Sequence, residues 1–347
     1  MPEVSPDVPL ARWTTLGLGG PARRVLRANS ADEIVQSVRS AGAGPVLILA
    51  GGSNVVIADE GFPGSVVLIR SVGWSVIADD GHSVELSLEA GHNWDDFVAY
   101  TVMEGLAGVE CLSGVPGSVG ATPIQNVGAY GQDVAEVTTA VTVLDRLTDE
   151  VVELPAAECG FGYRSSRFKH NDRWVVLSVR LRLARSPLST PVRYAELARS
   201  LGVEQGACVP LARAREAVLG LRRGKGMVLD PADPDTRSVG SFFVNPVLSA
   251  AAYKAFLVET DGEPSPSWPE ADGRVKISAA WLIEHAGFKK GYGRVGAAIS
   301  SKHTLALTNR GGRTEDLLAL AREVRDGVHD RFGVTLRPEP VLVGCEL

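Results

Sequence analysis

The chain has little of what usually marks a reactive centre. It holds six histidines and four cysteines in 347 residues. Cys111, Cys159, Cys208 and Cys345 form no C-x-x-C pair and have no histidine doublet nearby. That spacing argues against a zinc site and reads as reduced, mostly buried thiols. No apolar run approaches the roughly 20 residues a membrane helix needs. The opening "MPEVSPDVPLARW" carries two acids and no apolar segment, unlike a secretory signal. Positive charge is also short: the net charge is −6. This argues against a nucleic-acid partner, and any anionic ligand must meet a local basic patch. A cytoplasmic protein with neither a membrane nor a nucleic-acid partner is expected.

What the chain does have is glycine, 38 residues of it, and a hydrophobic content of 45%, enough for real cores. Its length predicts two or three domains. Ser30 and Glu33 form a capping box before Ile34, Val35 and Val38, so a helix is expected over 29–41. "PVLILA" reads as a buried strand running into "GGSN", and "SVVLIR" follows as another strand, which makes a small α/β unit. Residues 83–91, 136–145 and 174–184 alternate with period two, predicting a largely antiparallel sheet, with a helix near 94–106 between them. Helices are also expected over 211–223, over 278–287 and from Thr314 to Gly333. A strand is expected at 304–309, and the proline- and acid-rich stretch 261–273 reads as a surface loop.

Three glycine-rich stretches raise the question of phosphate binding. "GYGRVG" at 291–296 matches G-x-G-x-x-G, but a helix precedes it and a strand-like segment follows. That is the reverse of the dinucleotide context, so it reads as a glycine loop. "AGGSN" at 50–54 leaves a strand end with its amides available to an anion. The stretch 113–132 has glycines at 114, 117, 120, 128 and 131, two prolines and no charged residue. Small uncharged residues let a large flat ligand lie against the backbone. Ile124, Val127 and Tyr130 argue against a purely solvated loop.

These two stretches resemble the flavin-binding segments of the UDP-N-acetylenolpyruvoylglucosamine reductase (MurB) family. The resemblance continues in order through "FGYRSSRFK", "RRGKG", "GSFFVNP", "SAAWLIEHAGFKKG" and "LRPEPVLVG", and covers about Thr14 to Gly344. It implies an α+β protein: a two-subdomain FAD-binding module of the vanillyl-alcohol-oxidase/PCMH type, plus a separate α+β substrate-binding domain. Expected bounds are 1–72 for the first FAD subdomain, joined by the tail 336–347, then 73–221 for the second and 222–335 for the substrate domain. The active site is expected where the three meet. The family's reaction is a flavin cycle in which NADPH, a transient reductant, reduces bound FAD. The enolpyruvyl ether of UDP-N-acetylglucosamine then receives hydride at C3 and a proton at C2.

Residue by residue, the resemblance makes Ser241 the proton donor and Arg164 and Glu339 the groups that stabilise negative charge. A serine hydroxyl is a very weak acid, yet a carbanion is basic enough to take its proton without an activating histidine. Phe242 and Phe243 read either as ordinary core at a turn or as a dry wall beside that serine. The cofactor contacts carry over to Gly51, Gly52, Ser53, Asn54 and Val55, and to Gly114, Gly117, Ser118, Gly120, Ala121, Thr122, Gln125, Asn126 and Gly131, with Val176. Neither segment holds a histidine or cysteine, so the flavin is expected to be non-covalent. A nucleotide-sugar substrate implies contacts from Tyr194, Lys225 and Asn245, in the form of the family whose tyrosine loop covers the substrate. Arg222 and Arg223 would extend the positive patch of Lys225. The family often has glutamine where this chain has His285, so a substrate contact from His285 is a departure from its pattern. Two alternatives remain at this stage: another flavin oxidase or dehydrogenase of the same fold, and a flavin-free nucleotide-sugar-binding protein.

Overall fold

Local chemistry starts the first helix as the capping box predicts, with one shift. Ser30 Oγ accepts the Glu33 N–H at 3.2 Å. Glu33 Oε2 reaches back to the N–H of Asn29 at 2.7 Å, one residue before the cap. The helix, Ala31–Ser40, buries Ile34, Val35 and Val38. The computed structural model describes residues 3–5, 7–42, 44–260 and 265–347. The chain packs as two compact units. The first comprises Met1–Val8, Ala22–Gly52 and Phe62–Val228, and the second Pro9–Pro21, Ser53–Gly61 and Leu229–Leu347.

In the first unit the helix lies with a small sheet in which Phe62–Ile69 pairs in parallel with Pro21–Ala28 on one side and Val46–Leu49 on the other. Val46–Leu49 therefore ends the sheet, and Val46, Leu47 and Ile48 are only half-buried. The sequence predicts that strand to be buried throughout; the edge position is what exposes it. A second, antiparallel sheet runs in the order Glu150–Pro155, Thr138–Asp145, Trp174–Arg185, Ser83–Glu89, Trp74–Asp79. Burial alternates along Ser83–Glu89 as its period-two pattern requires, with Val84, Leu86 and Leu88 inward. The helix Trp94–Met103 places Trp94 and Phe97, both fully buried, in the core these strands share.

In the second unit the parallel pair Val55–Ile57 and Val341–Val343 joins distant parts of the chain. The long helix Thr314–Phe332 buries Leu317, Leu320, Ala321, Val324 and Val328 and stops at Gly333, whose φ of 65° is left-handed. Its first amides are held by a side chain from far upstream. The Asp59 carboxylate accepts from Thr314 N at 2.9 Å and Glu315 N at 3.1 Å, a favourable charge at a helix start.

One local expectation is corrected and two are refined. Within 261–273, whose first four residues lie outside the described set, Ser267–Pro269 is a strand paired with Val275–Ile277 across a turn at Gly273. The prolines hid a hairpin. "GYGRVG" is a tight hairpin too, with Gly293–Arg294 pairing Ala297–Ile299. Cys208 is exposed, whereas Cys111 and Cys159 are buried. Because Phe97 is fully buried in the shared core, Phe97→Ala should destabilise the first unit by about 3–5 kcal/mol. Chemical denaturation followed by circular dichroism measures this, and a loss below about 1 kcal/mol would contradict the packing described.

Candidate active site

The two glycine-rich stretches of the first unit meet backbone to backbone. A Cβ on Gly51 would lie 2.7 Å from Gly117 Cα, and one on Gly120 would lie 2.6 Å from Ala90 Cβ. Neither position admits a side chain without moving main chain. Gly114 and Gly117 have φ of 70° and 125°, where L-residues are strained. The stretch is ordered rather than a free loop. Val119–Ala121 and Thr122–Gln125 make short helical turns, and Gly128–Ala129 pairs with Gln132–Asp133. Among the described residues Ser118 Oγ and Gln125 Oε1 are buried with no hydrogen-bond partner, an uncommon state for polar atoms. An uncharged cradle with main chain laid bare and two such atoms fits the flavin dinucleotide expected from the sequence. Thr122, Asn126 and Val176 are buried in the same unit, with Val176 on the strand Trp174–Arg185. Gly131 has a φ of 87°. Ala121 is half-buried, and Gly52 ends this part of the first unit.

Arg164 is brought to this stretch by specific clips. Asn126 Nδ2 donates to Gly162 O at 2.9 Å, and Ser166 Oγ donates to Ile124 O at 2.9 Å. Arg164 itself has a φ of 50°, unusual for a side chain of that size. Its Nη2 donates to Gly128 O at 2.5 Å, and its Nη1 lies 3.6 Å from Asp133 Oδ1. Gly128 is forced by this arrangement, since a Cβ there would fall 1.6 Å from Asp133 Oδ1 and 2.8 Å from Arg164 Nη1. Asn126 and Tyr130 share the left-handed backbone, at φ 40° and 48°. Held strain of this kind concentrates at functional sites.

Tyr130 and Tyr194 meet edge to face, with ring centroids 5.5 Å apart. Lys225 Nζ lies 5.7 Å from the Tyr130 ring centre and pairs with Glu196 at 2.6 Å. Burial pushes the Tyr130 phenol up to about 12, so it stays a neutral hydroxyl. Arg222 corrects the sequence reading. Instead of widening a surface patch it turns inward and is buried, its Nη2 donating to Met227 O at 2.9 Å. Among the described residues its buried Nε finds no partner. Arg223 remains exposed. Helix periodicity alone did not say which of the two adjacent arginines faces inward.

In the second unit the serine and glutamate lie on adjacent backbone. Phe243 bridges Pro338, Glu339 N donates to Phe242 O at 2.8 Å, and Val244 N donates to Arg337 O at 3.1 Å. The two phenylalanines are core: both are buried and pack edge to face at 5.1 Å. They fix Ser241 by anchoring the two residues that follow it. Gly240, at φ 74°, makes the turn into it. Ser241 and Glu339 are themselves half-buried. Ser53, Asn54 and Val55 belong here, beside the same chain: Val341 N donates to Asn54 O at 3.0 Å. Asn245 Oδ1 accepts Ala279 N at 3.0 Å, capping the helix Ala279–His285. His285 stacks on Trp281 with ring centroids 3.9 Å apart, and its Nδ1 lies 2.8 Å from Trp281 O.

Residues 22–154 match the model of an FAD binding domain, and residues 231–343 that of the UDP-N-acetylenolpyruvoylglucosamine reductase C-terminal domain. The UDP-N-acetylenolpyruvoylglucosamine reductase of Salinispora arenicola is 62% identical over 99% of this chain and 98% of its own length. That of Thermobifida fusca is 59% identical over 98% of each. The crystal structure of the Thermus caldophilus reductase superposes with a TM-score of 0.67 at 26% identity, covering 99% of this chain and 100% of that one. With its whole length matched in sequence and in fold, the chain belongs to the UDP-N-acetylenolpyruvoylglucosamine reductase family.

Proposed function

We propose that this protein is an oxidoreductase that reduces the enolpyruvyl ether of UDP-N-acetylglucosamine to UDP-N-acetylmuramate, a step of peptidoglycan precursor synthesis, with NADPH as reductant. The observation that carries the reading is the set of backbone contacts that lays the Ser241 segment against the Glu339 segment. The family relationship supports it over the full length. Relatives carrying the reductase name, rather than an oxidase name, favour it over an oxygen-using enzyme of the same fold.

FAD is held without a covalent link, with the first unit's cradle of Gly51, Gly52 and the stretch 114–131 as its support. When bound, FAD supplies two-electron chemistry, taking hydride from NADPH and passing it to an electron-poor vinyl carbon. The protein's own groups deal with the charge and the proton. Arg164 takes the substrate carboxylate in a charge-assisted pair, which orients the vinyl group. Glu339, as a protonated carboxyl donating a hydrogen bond, steadies the enolic oxygens as negative charge spreads from C2. Ser241 Oγ gives its proton to C2, which is basic enough to take it, and a neutral donor places no charge beside a redox ring. Tyr194, Lys225 and Asn245 hold the nucleotide sugar, with Lys225 exchanging Glu196 for a phosphate. His285 presents an imidazole edge where relatives of this type often offer an amide.

The division of labour follows the chain: 1–72 and 73–221 carry the flavin, and 222–335 the substrate. The tail 336–347 returns to the first segment, a reading supported by the pairing of Val341–Val343 with Val55–Ile57. Among the described residues no helix is long and apolar enough to cross a membrane. Cytoplasmic residence is part of the proposal because both NADPH and nucleotide sugars are cytoplasmic metabolites.

Two variants test this reading. Gly51→Ala pushes a methyl into main chain, so FAD affinity should fall at least about tenfold, roughly 1.4 kcal/mol, while far-ultraviolet dichroism is kept. Flavin fluorescence on titration reads it, and undiminished affinity would refute the cradle. Ser241→Ala should leave NADPH bleaching of the flavin intact and cut turnover of the enolpyruvyl ether by about 10²–10⁴-fold. Normal turnover would remove Ser241 from its role.

A further inference from the structure

Glu110 is fully buried in the first unit, and among the described residues its partners are neutral. Its Oε2 accepts Gly108 N at 2.7 Å. Its Oε1 accepts Gln132 Nε2 at 2.9 Å, Thr190 N at 2.7 Å and Thr190 Oγ1 at 3.0 Å. Gln132 closes the network: its Nε2 donates to Thr190 Oγ1 at 2.6 Å, and its Oε1 accepts Cys111 N at 2.7 Å. Isolated buried carboxylates are costly, and one tolerated without a cation has to be met by several donors. Here those donors come from three separate stretches of chain.

Two of the stretches carry the tyrosine pair. Gln132 lies two residues after Tyr130, and Thr190 four before Tyr194. The backbones also approach closely on that side, since a Cβ on Gly131 would lie 2.9 Å from Arg193 Cβ. Arg193 Nη1 donates to Gly131 O at 3.3 Å in an exposed contact. Tyr194 itself is largely exposed and begins a helix of only 7 residues. Its segment is held from both sides: Val192, Leu197 and Ala198 are buried after Thr190, and the knot of Glu110 fixes Thr190 at the point where the segment begins.

We infer that Glu110 is a positioning residue whose carboxylate clamps Gln132 to Thr190 and so holds Tyr194 against Tyr130 for the nucleotide sugar. The inference rests on the proposed function for the identity of that ligand. The clamp acts on the fraction of molecules in which the tyrosine segment is set for binding. Lowering that fraction weakens apparent affinity without touching the chemical step. A carboxylate is required because an amide turns an N–H toward either Gly108 N–H or Thr190 N–H.

In the FAD-loaded enzyme, Glu110→Gln should raise KM for the enolpyruvyl nucleotide sugar about tenfold while kcat stays within about threefold. NADPH bleaching and the FAD dissociation constant, read by flavin fluorescence, should stay near wild type. Thr190→Val, which keeps the backbone N–H and loses the hydroxyl, should raise KM by a smaller factor, and Thr190→Ser should restore it. The threonine pair decides the matter if Glu110→Gln does not fold. An unmoved KM in the variants, or a fall in kcat and FAD affinity together, overturns the role while leaving the function standing. Absence of turnover by the wild-type protein overturns the functional reading and the role with it.

Discussion

The contact on which the cofactor region depends is one between two stretches of bare main chain. Gly51 sits so close to Gly117 that no side chain fits between them. The same is true where Gly120 rests on Ala90. Burying polypeptide without side chains to shield it is tolerable only if its amides and carbonyls find partners. The ladder through Trp94 N to Gly117 O, Val119 N to His92 O and Gly120 N to Ala90 O supplies many of them. The polar atoms it leaves over, Ser118 Oγ and Gln125 Oε1, are what a bound flavin dinucleotide can satisfy.

From that contact the rest of the first unit's site is built by short-range clips. Asn126 and Ser166 fasten the glycine stretch to the segment of Arg164, and the guanidinium then returns to Gly128 O. The left-handed conformations of Asn126, Tyr130 and Arg164 are the cost of bringing three large side chains out of so small a turn-rich region. Asn126 is held at both ends of its amide, its Nδ2 donating to Gly162 O and its Oδ1 accepting Ala135 N, which helps such conformations persist. In the second unit rigidity comes from the core instead. Phe242 and Phe243 are anchored in hydrophobic packing, and Ser241 inherits their order.

Much of this was legible in the residues. Alternation in 83–89, the capping box at Ser30 and the Gly333 stop each follow from chemistry within a few positions, so they could be read locally. The helix periodicity around Leu317 belongs to the same kind. Where several stretches compete for one partner, the reading failed. The strand at 46–49 looks like core but ends a sheet. Arg222 looks like surface but turns inward, while Arg223 beside it stays exposed. The hairpin at Ser267–Pro269 was masked by prolines whose fixed φ is compatible with an edge strand.

Taken alone, the sequence determined the order of elements, the two glycine stretches and the motifs at Arg164, Ser241 and Glu339, because each depends on residue type and near neighbours. Tertiary structure alone decided that Gly51 must be glycine on account of Gly117. It also decided that Phe242 lies beside Glu339 and that Glu110 joins Gln132 to Thr190. These pairs are separated by tens of residues. Only the packed chain sets which backbone approaches which, and the hydrogen-bonding demand of a buried group is met by whatever that approach delivers.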